Sequence, residues 1–209
     1  MKNLPTILTL ARIAAGPIIA GLILWGDTQA LAAGMTAAAI PFIIALILYI
    51  LAALSDALDG MLARKYGVAS ALGAALDHAA DKVLTVCVLM ALAVTSLATD
   101  LIFAAILIVA RDAAIGGLRE GLALSGKPLP VSQGGKLKTV LVMVAAGAVL
   151  AMQTLIYANA PAELISIPVG QGVSINVFDL IGRAGLWAGA AVSLWTGAIY
   201  ARDAFTTKS

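Results

Sequence analysis

Charge is scarce in this chain. Of 209 residues only 11% are charged, while 62% are hydrophobic and the mean hydropathy is +1.03. A soluble domain is nearer a quarter charged and half apolar, so that class is excluded. Cysteine is scarcer still. Cys87 stands alone, which excludes an internal disulfide, and its apolar surroundings make it a small buried hydrophobe. Histidine is also single: His78 adjoins Asp77 and has a position to influence a carboxylate, though a plain helix-surface placement explains it better. No inverted repeat is visible, because the Asp-rich part of the first half has no counterpart in the second. The length leaves no room for a soluble domain beside a membrane one.

What is there is a series of long apolar runs. Six spans are predicted, over residues 7–25, 37–64, 71–94, 101–120, 135–157 and 180–202, each near or above the ~20 residues a bilayer requires. The expected fold is an all-α integral membrane protein with six transmembrane helices in a single membrane domain, residues 1–209. The run Ile13 to Trp25 followed by Ala30-Leu31-Ala32 has the outline of a signal peptide. Lys2 is the sole n-region charge, Asp27 interrupts the approach to the cleavage site, and full-length spans follow, so a retained first helix is expected. Its start, from Met1 to Arg12, mixes polar and basic residues with Leu and Ile and is expected along the interface. Ser125 to Pro130 is a turn-forming stretch, and Asn159 to Asn176 is expected as an outward loop with a short strand or an interfacial helix.

The basic residues orient the spans. Lys2, Arg12, Arg64, Lys65, Lys82, Arg111, Arg119, Lys127, Lys136, Lys138, Arg202 and Lys208 fall at or near one face, and only Arg183 falls toward the other. The positive-inside rule makes the rich face cytoplasmic. An even number of spans then places both termini there.

Four carboxylates stand out within this oily chain. The second span ends in Asp56-Ala-Leu-Asp59-Gly60-Met-Leu-Ala63-Arg64, and the third carries Gly73, Asp77 and Asp81. On a helix Asp59, Gly60 and Ala63 lie within about 60° of Asp56, and Gly73, Asp77 and Asp81 share one face. A short loop makes the two helices antiparallel neighbours, so both carboxylate faces can open on one cleft. Four ionised carboxylates there would repel strongly. Two magnesium or manganese ions would neutralise them with octahedral oxygen ligands, and two such metals can clamp a displacement at phosphorus. Gly60, Ala63 and Gly73 would let a flat base or a diphosphate approach the backbone, although helix packing also accounts for small residues. Arg64 would pair with a phosphate or anchor the helix end.

The pattern D-x2-D-G-x2-A-R-x8-G-x3-D-x3-D, complete at Asp56, Asp59, Gly60, Ala63, Arg64, Gly73, Asp77 and Asp81, resembles the signature of the CDP-alcohol phosphatidyltransferases. The resemblance implies their six-helix membrane fold, a homodimer and a two-metal site facing the cytoplasm. It implies that Asp56, Asp59, Asp77 and Asp81 bind the metals. It further implies that Asp59, Gly60, Ala63, Arg64 and Gly73 hold the CDP moiety, and that Asp81 doubles as the base.

The acceptor alcohol must be read elsewhere. Arg111, Arg119, Lys136 and Lys138 cluster at the cytoplasmic ends of the fourth and fifth spans, where they would hold a phosphorylated acceptor or serve as positive-inside anchors. Ala110-Arg111-Asp112, Gly117-Leu-Arg119-Glu120 and Gly135-Lys136-Leu-Lys138-Thr139 are similar to the phosphatidylglycerophosphate synthases. So are Asn3-Leu-Pro5, Thr9, Arg12 and Pro17. Thr6 and His78 depart from the residues common there, Asn and Pro, and the segment before the last span is longer. None of these departures touches an implied metal ligand.

The resemblance thus implies transfer of a phosphatidyl group from CDP-diacylglycerol to glycerol 3-phosphate in the bilayer. The expected place is the bacterial inner (cytoplasmic) membrane, and no nucleic acid is expected among the partners. Inositol phosphate, or phosphatidylglycerol in a cardiolipin synthase, would be alternative acceptors. A divalent-cation transporter is the alternative of another class, against which stand the position of the carboxylates toward one face and the missing repeat.

Overall fold

The computed structural model describes residues 4–66, 71–96, 99–124, 133–161, 166–170 and 173–206. Six helices carry the fold: α1 (Leu4–Ala33), α2 (Met35–Tyr66), α3 (Ala71–Ser96), α4 (Thr99–Leu124), α5 (Gln133–Tyr157) and α6 (Val177–Thr206). Every predicted span falls inside one of them. Described stretches of α1, α2, α4, α5 and α6 are long and apolar enough to cross a membrane, and that of α2 ends at Ser55, beside Asp56. The stretch Ser125 to Pro130 lies outside the described residues.

Two helix ends are written plainly in the sequence. Gly34 at φ 93° separates α1 from α2, a left-handed conformation that glycine adopts without cost. Its N–H still closes on the Ala30 carbonyl (3.2 Å). At the end of α5, Asn159 takes φ 52°, and the Ala160 N–H reaches back to the Leu155 carbonyl at 3.0 Å. This is the left-handed cap at which asparagine substitutes for glycine. The stretch expected as an outward loop contains a pair of short strands. β1 (Ser166–Gly170) pairs antiparallel with β2 (Val173–Asn176), with a shift of register between Pro168 and Gly170. Asn176 then caps α6, its Oδ1 accepting from the Phe178 and Asp179 N–H groups. The start of α1 is one unbroken helix from Leu4 onward.

Small residues set how the helices meet. Along α6, a Cβ at Gly182, Gly185 or Gly189 would stand 2.5–2.8 Å from Val149, Ala145 and Val142 of α5. The two backbones are therefore in close approach and antiparallel. On α1 the buried positions Thr9, Arg12, Gly16, Ile19, Ile23 and Gly26 recur every three or four residues as one stripe. Gly16 meets the backbone of Val83 and Leu84 on α3, and Gly26 faces the Phe42 ring of α2. Tyr49 of α2 donates to the Met143 carbonyl of α5 (2.7 Å), and Phe42 stacks near Tyr157 at 4.6 Å. These pairs, with Thr95–Gln153 and Arg183–Asp100, make successive helices alternate in direction.

The interior is apolar and fine-grained, with Ile19, Phe42, Leu84, Val88, Ile108, Val142 and Leu150 among many alanines. The exterior is apolar as well: Ile47, Leu51, Phe103, Val144 and Trp195 are all exposed. A protein greasy inside and out fits a lipid surround. Charge collects at the two ends of the bundle. Asp81, Lys82, Arg111, Asp112 and Lys138 share one end. At the other, Arg183 bridges Asp100 (2.5 Å) and Asp179 (2.8 Å), and the Tyr157 hydroxyl reaches Asp27 at 3.3 Å.

Candidate active site

The second half of the carboxylate motif opens α3, and its last member, Asp81, is described in full. Asp81 is half-buried, with Oδ1 shut off from solvent. The backbone positions of Asp56, Asp59, Gly60, Ala63 and Arg64 lie in the last three turns of α2, and those of Gly73 and Asp77 in the first two turns of α3. Their side chains lie outside the described residues, as do those of Arg119 and Lys136.

Asp81 borders a cavity of about 140 Å3 between α3, α4 and α5. From α3 come Asp81, Lys82, Thr85 and Val86, from α4 Ile108, Val109, Asp112 and Ala113, and from α5 Lys138, Thr139 and Val142. Apolar residues form its floor and polar groups its rim. The juxtaposition follows from helix direction. α3 and α5 run parallel, so residue 81 lies level with residues 138–139, as Thr95 lies level with Gln153 further along.

The predicted acceptor cluster divides in this structure. Lys138 faces the cavity, with its side chain 10% exposed, and donates to Asp112 Oδ2 in a short ion pair. Arg111 is not among the residues lining the cavity. Its Nε donates to the Ser193 carbonyl (2.7 Å), Nη2 to Thr196 Oγ1 (2.6 Å) and Nη1 to Asp112 Oδ1 (3.2 Å). Gly197 makes this possible, since a Cβ there would be 3.0 Å from Nε. Arg111 thus ties α4 to α6 and holds Asp112, which in turn holds Lys138.

Several of these residues were not candidates on sequence grounds. Asp112 follows Arg111 and enters the sequence reading only within the stretch that resembles the phosphatidylglycerophosphate synthases. Lys82 follows Asp81 and is, by sequence, one of the basic residues of one face. Thr85 and Thr139 are ordinary helix residues by type. The available signal was spacing: residues 81 and 85 share a helix face, and 138 and 139 begin α5 beside it.

Chemically, the cavity offers two carboxylates, two ammonium groups and two hydroxyls around a small space at one end of an apolar bundle, with the Asp112 carboxylate already engaged by Lys138 and Arg111. Hydrogen-bond donors and cations suit a phosphate, and a carboxylate suits a hydroxyl proton.

The chain matches the CDP-alcohol phosphatidyltransferase family over residues 2–195. It is 34% identical over 200 residues to a CDP-diacylglycerol–glycerol-3-phosphate 3-phosphatidyltransferase of Rickettsia typhi, covering 96% of each chain. A Bacillus subtilis protein of the same name is 36% identical over 172 residues, covering 80% of this chain and 83% of its own. A probable phosphatidylglycerophosphate synthase of Mycobacterium tuberculosis is 36% identical over 148 residues, covering 70% and 65%. With the eight-position motif closing at Asp81 and a match along nearly its whole length, this chain belongs to the CDP-alcohol phosphatidyltransferases.

Proposed function

We propose that the protein transfers the phosphatidyl group of CDP-diacylglycerol to sn-glycerol 3-phosphate, yielding phosphatidylglycerol phosphate and CMP. The observation that carries this is the cavity in which Asp81 meets Lys138 and Thr139 across α3 and α5. A phosphorylated alcohol has two ends with opposite requirements. Its phosphate needs cations and O–H donors, while its reacting hydroxyl needs a carboxylate to take the proton. The cavity presents both within one small space, and the names of the relatives carry the same two substrates.

In this reaction Asp81 accepts the proton of the acceptor's 1-hydroxyl as that oxygen bonds to the phosphorus attached to diacylglycerol. The bond from this phosphorus to CMP breaks, and CMP leaves. Lys138, Arg119 and Lys136 hold the acceptor phosphate, with Arg111 acting on Lys138 through Asp112. Asp59, Gly60, Ala63, Arg64 and Gly73 hold the CDP moiety. Oxygen-only donors at Asp56, Asp59, Asp77 and Asp81 suit two hard divalent cations, Mg2+ or Mn2+, and the enclosed Oδ1 of Asp81 beside a polar cavity fits such a role. When bound, these ions supply charge stabilisation to the diphosphate.

The same proposal includes six membrane spans in one domain, a homodimer, and placement in the bacterial cytoplasmic membrane with the site and both termini on the cytoplasmic side. The basic residues gathered at the site end support that orientation.

Purified protein given CDP-diacylglycerol and each acceptor in turn tests the proposal. CMP release is expected with glycerol 3-phosphate, and Asp81→Asn is expected to lower turnover by about 10²–10⁴-fold. Turnover with inositol phosphate or phosphatidylglycerol, but not with glycerol 3-phosphate, overturns the acceptor assignment. Metal flux into liposomes without CMP formation overturns the enzyme.

A further inference from the structure

Two ammonium groups line the cavity, and among the described residues only one of them is matched. Lys138 is paired with Asp112, whose other oxygen takes Arg111. Lys82, half-buried on α3, makes no hydrogen bond or ion pair with a described residue. Its head group lies against α4. The Nζ lies 2.8 Å from where a Cβ would stand on Gly116 of α4, so the side chain crosses from α3 to α4 and rests its head on bare backbone. Any side chain at residue 116 would push that ammonium away. A half-buried cation at the end of an apolar bundle is costly unless an anion meets it.

We infer that Lys82 binds the phosphate of the acceptor, with Gly116 shaping the space its ammonium needs. The inference rests on the proposed reaction and adds to it a specificity residue outside the arginine and lysine cluster of α4 and α5. Geometry favours the acceptor over the donor diphosphate. Lys82 borders the same cavity as Lys138 and Thr139, and Thr85, one turn along from Asp81, adds a buried hydroxyl that no described residue engages. A phosphate between Lys82 and Lys138 would have cations on two sides, with Asp81 beside it for the alcohol end. Lys138 is largely occupied by Asp112, whereas Lys82 has no partner among the described residues and is the better placed of the two to respond to the ligand.

The experiment uses the full chain in detergent and measures KM and kcat for glycerol 3-phosphate at saturating CDP-diacylglycerol, and the converse. Lys82→Gln is expected to raise the acceptor KM about ten-fold or more while the CDP-diacylglycerol KM stays within about two-fold, as befits a lost charge-assisted hydrogen bond. Lys82→Arg should recover part of the loss. Gly116→Ala, which keeps the lysine and displaces its head, should shift the acceptor KM in the same direction. Thermal midpoints of the variants establish that each is folded, and Gly116→Ala carries the test if Lys82→Gln does not fold. An unchanged acceptor KM in folded variants, or a shift confined to CDP-diacylglycerol, overturns the inference. If the unmodified protein does not use glycerol 3-phosphate at all, the fault lies with the proposed reaction, and the two failures are thereby told apart.

Discussion

Asp112 holds two cations with one carboxylate. Oδ2 takes the Lys138 ammonium and Oδ1 the Arg111 guanidinium, and all three side chains are at most 19% exposed. Removing one member of a buried ion pair leaves an uncompensated charge, a loss of about 3–5 kcal/mol. Asp112→Ala is therefore expected to destabilise the protein by roughly that amount in a denaturant titration. Replacing both partners, as Asp112→Leu with Lys138→Met, should cost less than the two single changes together, with a coupling of about 0.5–3 kcal/mol. Strict additivity would show that the pair does not act as a unit. At this scale residue type was a partial guide. Asp81 and Lys138 were legible because a carboxylate or a lysine near a span is rarely idle. Arg12 falls at or near the basic face by sequence, and the structure buries it on the stripe of α1 at 2% exposure. A residue's own chemistry does not reveal which neighbour it will be packed against.

Among the elements, α5 and α6 are in close contact, and the contact depends on missing side chains. A Cβ at Gly185 would lie 2.8 Å from the Cβ of Ala145, an atom with no rotamer by which to retreat. Gly21 on α1 has nothing within 4 Å. Alanine favours a helix over glycine by about 1 kcal/mol, so Gly21→Ala should be neutral or stabilising. Gly185→Ala should instead destabilise by about 1–3 kcal/mol, because the helices must separate or shift. Thermal unfolding in one detergent checks the difference in sign; the same sign for both would mean that α5 and α6 are not in close approach. The small residues are visible in the sequence; the cap at Asn176 is seen only in the structure. Which face the small residues serve is not visible in the sequence, since every helix here is apolar nearly all round and periodicity loses its contrast in lipid.

Across the whole molecule, alternating helices sort charge to two ends. Arg183, the basic residue that fell apart from the rest in sequence, is held between Asp100 and Asp179 at the end away from the cavity. With side chains 32–40% exposed, these pairs contribute little to stability, typically about 1 kcal/mol or less. They do match a lone positive charge at that end. If the cavity end faces the cytoplasm, a membrane-impermeant maleimide applied to intact cells should label Pro161→Cys and spare Leu124→Cys, both in a Cys87→Ser background. The opposite pattern would invert the orientation.

By itself the sequence determined the membrane class, the helices, the eight-position motif and the uneven spread of basic residues. These depend on composition and on the fixed angle between helix residues, which are local quantities. The tertiary structure decided which charged groups share a space. It placed Asp81 with Lys138, turned Arg111 toward α6, set Asp112 between them and brought Lys82 against Gly116. No sequence spacing contains that information, because it arises from the directions and depths at which α3, α4, α5 and α6 pack.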